Sequence, residues 1–161
     1  PRVVVAWEQV VGVARARGVP GVVDAAGGVP PVQNLSALVE AGGDLVMFSG
    51  GKDIAGPSDT GILCGRSDLI AAARAQSFPN GGIGRPLKVG KEQMVGLVFA
   101  LRRFKALDEA ERMGRWRTQA ESIAARLVGL KGVEVDIVVR LVGRVQDRGG
   151  ERVLVAAGRE W

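Results

Sequence analysis

Lys52 has the neighbours that most suggest chemistry. It follows an apolar run, Leu45-Val46-Met47-Phe48, and the small residues Ser49-Gly50-Gly51, and a Gly56-Pro57 turn comes soon after. Glycines in such a place let ligand atoms approach the backbone, so the segment is expected to present an amine to an incoming group. Asp24 closes an earlier apolar pair, Val22-Val23. A lysine amine, a carboxylate and the Ser49 hydroxyl with neighbouring amides such as that of Gly51 supply what pyridoxal 5'-phosphate requires. The amine forms a Schiff base with its aldehyde, the carboxylate keeps its pyridine nitrogen protonated, and the hydroxyl and amides meet its phosphate. Singly, each residue has a plainer reading, Lys52 as an exposed turn residue and Asp24 as a loop carboxylate.

Other chemistries fit less well. A nucleotide-binding P-loop needs glycine six positions before the lysine and Ser or Thr after it, where this chain has Val46 and Asp53. Cys64, in Ile62-Leu63-Cys64, reads as a packed small hydrophobe rather than a nucleophile. No metal site is expected. The absence of histidine is no obstacle to the lysine reading, because an amine can carry protons.

The elements that must position these groups follow from periodicity. Trp7, Val10, Val11 and Ala14 recur at helical spacing before Gly18. Val22–Asp24 reads as a short strand, followed by a Gly27-Gly28 loop and Pro30-Pro31. A brief helix through Leu35, Leu38 and Val39 is expected, with Asn34 as its cap and Gly42-Gly43 as its stop. Leu45–Phe48 is a second buried strand, and Thr60–Gly65 a third, antiparallel because the connection is short. A helix from Arg66 or Ser67 to about Gln76 comes next. The loop Pro79-Asn80-Gly81-Gly82 then leads through Arg85 and Lys88 to a helix over about Lys91–Ala106. Its apolar face, Met94, Leu97, Val98 and Leu101, reads as core, as does the stripe Met113, Trp116, Ala120, Ile123 and Leu127 of a helix beginning near Asp108.

Continuous apolar strands separated by helices predict an α/β fold, a mostly parallel sheet with helices on both faces. Ligands of such sheets bind beyond the carboxyl ends of the strands, where Asp24 and Lys52 both fall. Val133–Ile137 alternates like a strand with one wet face, the opening of a smaller α+β region. The tail from Val139 to Trp161 carries weak strand signals and stops before that region could close.

At 161 residues, with 47% hydrophobic and 24% charged, the chain can bury a real core. No apolar run approaches the roughly 20 residues of a membrane span, and the single cysteine suits a reducing compartment. A soluble, cytoplasmic protein is therefore expected. The start Pro1-Arg2-Val3, without Met or a signal peptide, suggests a beginning inside a longer protein. Net charge +5 raises the question of nucleic acid, but the arginines are scattered and there is no Tyr to stack on bases. The positive field suits phosphorylated substrates first and RNA, including tRNA, second.

Several segments together resemble one family. Val23-Asp24-Ala25-Ala26, Asp44 to Lys52, Gly56-Pro57, Thr60 to Gly65 and Gly84-Arg85-Pro86-Leu87-Lys88-Val89-Gly90-Lys91 are similar to the selenocysteine synthase-like family of fold-type-I pyridoxal phosphate enzymes. That family includes L-seryl-tRNA(Sec) selenium transferases and D-glucosaminate-6-phosphate ammonia-lyases, and Ser-Gly-Gly-Lys is closer to the latter branch. The resemblance runs from about Trp7 to Val135. It implies that residues 1–107 are the C-terminal part of a cofactor-binding major domain, and 108–161 a linking helix and an incomplete small domain. It further implies that Lys52 bears the cofactor, Asp24 pairs with its ring nitrogen, and Ser49 and Gly51 bind it. Arg85 and Lys88 match basic positions facing an anionic amino acid or amino sugar phosphate; their plain alternative is solubility at the start of a helix. A homodimer or higher homo-oligomer without membrane association is implied, acting as a lyase or transferase. The chain lacks the family's upstream half, so a C-terminal fragment with little turnover of its own is expected. The competing class is a noncatalytic fragment, a dimerisation module or an RNA-associated module.

Overall fold

In the computed structural model the described residues are 6–130, 133–138 and 152–156. They fall into two compact units, Pro1–Ala106 and Leu107–Trp161.

The first unit opens with helix α1 (Trp7–Ala16), which ends where Gly18 takes φ +68°. Val11 is its buried residue and sits against Gly21, where a Cβ would come 3.1 Å from Val11 Cγ2. Strand β1 (Val22–Asp24), helix α2 (Asn34–Glu40), strand β2 (Leu45–Ser49) and strand β3 (Gly61–Gly65) follow, then helices α3 (Ser67–Gln76) and α4 (Lys91–Ala106). The sheet order is β1-β2-β3. β1 runs parallel to β2 with Asp24 opposite Met47, and β3 runs antiparallel with Ser49 opposite Gly61. The short connection between β2 and β3 leaves no room for a crossover, hence the antiparallel return.

Strand alternation sorts the side chains onto two faces. Val46 and Phe48 point into the core with Val23, Ile62 and Cys64, beneath Leu35, Leu38 and Val39 of α2 and Leu97, Ala100, Leu101 and Phe104 of α4. Burial pushes the Cys64 thiol up, as expected for a packing residue. On the opposite face Val22, Met47 and Leu63 remain 58%, 37% and 41% exposed. The sheet is thus mixed rather than mostly parallel, and the expected burial on both faces is not met among the described residues. A continuous apolar strand permits two covering layers, but it cannot supply them.

The amino end of the sheet is tied by charge. Asp44 Oδ2 accepts from the Gly21 amide at 2.8 Å and Asp44 Oδ1 from Arg66 Nη1 at 3.2 Å, while Arg66 also pairs with Asp68. The Gly21 amide and then Arg66 hold the Asp44 carboxyl below its ordinary value.

Two expectations are corrected here. Asn34 does not cap α2: the residue before the helix, Gln33, is already helical, and Asn34 Nδ2 instead donates to the Gly28 carbonyl at 2.8 Å. The supposed core stripe of α4 is split. Leu97 and Leu101 pack inward, but Met94 and Val98 are 53% and 51% exposed because the buried side is completed by Ala100 and Phe104.

In the second unit helix α5 (Glu109–Leu127) is capped by Asp108, whose Oδ1 accepts from the Glu111 amide at 3.0 Å. Of its expected apolar stripe Ala120 is buried, against Val135, while Ile123 is half exposed and Ala124 is buried in its stead. Strand β4 (Glu134–Val138) pairs in parallel with β5 (Arg152–Ala156). The rest of the tail expectation, residues 139–151 and 157–161, lies outside the described residues. Among the described residues no helix is long and apolar enough to cross a membrane.

Candidate functional site

Asp24 and Lys52 both lie beyond the carboxyl ends of adjacent parallel strands. Asp24 is the last residue of β1, in register with Met47, and β2 continues to Ser49 before the chain turns at Lys52. Alternation places Asp24 and Ser49 on the same face of the sheet, the one that also carries Met47.

The Asp24 loop is held by its own polar groups. Asp24 Oδ1 accepts from the Ala26 amide at 2.9 Å, a local turn that fixes the carboxyl, and Oδ2 is left for another donor. The Gly28 amide donates to the Ala25 carbonyl at 2.7 Å. Glycine is required there because a Cβ would stand 2.9 Å from Ala25 Cβ and from its carbonyl oxygen. The Asn34 amide clasps the Gly28 carbonyl from α2. Ala25, Val29 and Pro30 are buried beneath, so Asp24 is an exposed carboxylate on a rigid base.

The Lys52 loop is more tightly built. The Gly50 amide donates to the Thr60 carbonyl at 2.9 Å, the Gly56 amide to the Gly50 carbonyl at 2.8 Å, and the Ala55 amide to the Lys52 carbonyl at 2.8 Å. Thr60, itself buried, donates its hydroxyl to the Pro57 carbonyl at 2.6 Å. Ile54, wholly buried, anchors the loop in the core two residues after the lysine. Ala55 adopts φ +58°, a left-handed conformation that costs a non-glycine residue about 1 kcal/mol and is sustained only by such surrounding bonds. Lys52 itself is exposed at the tip.

The glycines before Lys52 serve a purpose other than the expected one. A Cβ on Gly50 would strike the Thr60 hydroxyl and come 2.8 Å from Leu97 Cδ1; one on Gly51 would strike Ser58 Cα and come 3.2 Å from the Ser58 amide nitrogen. The close approach is between two stretches of this chain's own backbone. Glycine lets the Pro57–Thr60 turn fold back against the lysine segment.

Arg85 and Lys88 lie apart in sequence, on a loop between α3 and α4 that is closed upon itself. The Gly84 amide donates to the Gln76 carbonyl at 2.8 Å, and the Asn80 side chain to the Arg74 carbonyl at 3.0 Å. Arg85 Nη1 donates to the Pro79 carbonyl. Its guanidinium carbon lies 5.3 Å from the centre of the Phe78 ring, and Lys88 Nζ lies 4.6 Å from the same ring. Sequence reasoning missed Phe78, Ile54, Thr60 and the clasping role of Asn34. Only Ile54 left a signal, an apolar residue set between Asp53 and Ala55 in an otherwise polar turn.

No family model matches the chain. Two curated proteins do. One is the 5'-C-glycyluridine monooxygenase-decarboxylase of a Streptomyces species, 41% identical over 126 residues that cover 78% of this chain and 30% of that protein. The other is the D-glucosaminate-6-phosphate ammonia lyase of Salmonella typhimurium, 35% identical over 136 residues that cover 84% of this chain and 35% of that protein. The chain thus spans about a third of the length of the curated relatives it matches. The second relative belongs to the ammonia-lyase branch to which the Ser-Gly-Gly-Lys segment pointed, and neither of the two is a selenium transferase. Both relatives are enzymes by name.

Proposed function

We propose that this chain carries the lysine-bearing portion of a pyridoxal-phosphate-dependent enzyme with the fold-type-I architecture, within the selenocysteine synthase-like group and on its ammonia-lyase side. The observation that carries the reading is that Asp24 and Lys52 follow adjacent parallel strands at one sheet edge, each on a loop fixed by its own hydrogen bonds. The residues fit the cofactor. Asp24 keeps one carboxylate oxygen unused, Lys52 is exposed, and Ser49 shares the Asp24 face.

Pyridoxal phosphate, when bound, supplies an aldehyde that condenses with amines and a ring that accepts the electrons released at a substrate's α-carbon. Asp24 holds a proton on the ring nitrogen by offering the free Oδ2 as acceptor. Ser49 donates its hydroxyl to the phosphate, with the Gly51 amide beside it. Lys52 holds the aldehyde at rest; once a substrate amine displaces it, its neutral Nζ takes the α-proton and returns a proton to the leaving hydroxyl. The rigid loop behind Lys52 confines that amine to a short arc, which favours transfer at one carbon. Arg85 and Lys88 orient an anionic substrate, and the name of the ammonia-lyase relative favours a phosphorylated amino sugar. Elimination with ammonia release, or transfer onto the same carbon, are the reactions this set of groups can serve, in an oligomer that supplies what the chain does not.

Borohydride reduction of the protein mixed with pyridoxal phosphate, followed by peptide mapping, tests the reading. One pyridoxyl group on Lys52 is expected; label spread over Lys88, Lys91 and Lys105 instead would sink it.

A second reading, a noncatalytic association module, is favoured by one observation. Met94, Val95, Val98 and Phe99 form an exposed apolar strip along α4. Under that reading the borohydride label is unselective while the chain still self-associates.

A further inference from the structure

We propose that Phe78 is a positioning residue: its ring gathers the Arg85 guanidinium and the Lys88 ammonium into one clamp for a phosphoryl dianion. The proposal rests on the reading of Arg85 and Lys88 as substrate-facing, and it adds the residue that holds them together and the charge of the group they take.

Both cations lie over a single aromatic ring, at 5.3 and 4.6 Å from its centre. They are therefore within about one screening length, ~10 Å, of each other. Like charges so placed repel, and neither is in an ion pair with a carboxylate among the described residues. The ring's negative face is the one feature on the page that offsets that repulsion. Arg85 is fixed further by its bond to the Pro79 carbonyl, on a loop closed by the Gln76–Gly84 and Asn80–Arg74 bonds. That bond uses Nη1 and leaves the guanidinium's remaining donors for a ligand. A planar fork beside a point charge matches a tetrahedral group with two negative charges better than a carboxylate with one. Phe78 is 44% exposed, so the ring carries this duty at the surface rather than as a core residue.

Titration with inorganic phosphate and, at matched ionic strength, with acetate tests the clamp, read from the Arg85 and Lys88 side-chain resonances. Wild type is expected to bind phosphate about tenfold more tightly than acetate. Because each exposed cation–ring contact is worth a factor of about two to five, Phe78→Leu should weaken phosphate binding about tenfold while Phe78→Trp stays within about twofold of wild type. Equal affinity for the two anions, a Phe78→Leu protein that binds phosphate like wild type, or a Phe78→Trp protein as weak as the leucine variant would each overturn the proposal. Borohydride labelling of the same proteins separates it from the cofactor reading. Phosphate binding that survives in a protein unlabelled at Lys52 supports the clamp and removes only the cofactor. Repeating the titration after Lys52 is labelled identifies the source of the dianion: retained binding assigns the clamp to a substrate phosphoryl group, and lost binding to the cofactor's own.

Discussion

Gly51→Ala is the perturbation that best separates packing from ligand approach in the lysine segment. The new methyl group would strike Ser58 Cα and press on the Ser58 amide nitrogen at 3.2 Å, and both are backbone atoms that no rotamer change can move. Gly51 has no left-handed φ, so the whole cost is steric. Overpacking of this kind costs about 1–3 kcal/mol, and the Pro57–Thr60 turn must shift to relieve it. For a chain of this length that corresponds to a fall in Tm of about 3 °C per kcal/mol, hence about 3–9 °C. Thermal unfolding by circular dichroism, with no cofactor added, measures it. The shift should be accompanied by weaker pyridoxal labelling of Lys52, because the Gly50–Thr60 and Gly56–Gly50 bonds that fix the loop are strained together. An unchanged Tm with labelling lost would refute the reasoning, since it would mean that Gly51 is small for a ligand's sake and not for Ser58.

Three further outcomes follow from the same geometry. Ile54→Ala removes the buried anchor of the loop and should cost about 2–5 kcal/mol in urea unfolding, a loss that an exposed or collapsible site would not show. Asp44→Asn should destabilise at neutral pH, where the depressed pKa of Asp44 contributes. A group whose folded pKa lies below its unfolded value stabilises above the latter and loses that contribution as pH falls, so the gap between wild type and Asp44→Asn should close below about pH 4 in acid titrations. A gap that persists or widens in acid would show that the charge is not what matters. Gly114→Ala, inside α5 with open space around the position, should raise stability by about 0.5–1 kcal/mol, and a loss instead would reveal a contact that the open surroundings exclude.

Legibility followed the range of the interaction concerned. β1, the antiparallel return of β3 and the start of α3 were readable because each depends on neighbours a few residues away: an apolar pair ending in Asp24, a connection too short to cross over, a polar residue before a helix. Asn34 misled for the same reason. Its local sequence suits a cap, while its side chain answers to Gly28, six residues back and already folded against the helix.

The amino-acid order by itself determined that an exposed lysine follows one strand and an aspartate another, because alternation and turn chemistry act within a few residues of chain. Tertiary structure alone decided why the glycines beside that lysine are glycines, which face of α4 is buried, and that one ring gathers Arg85 and Lys88. Those are matters of which atoms meet across space, and hydrophobic periodicity says that a side must be covered without saying by what.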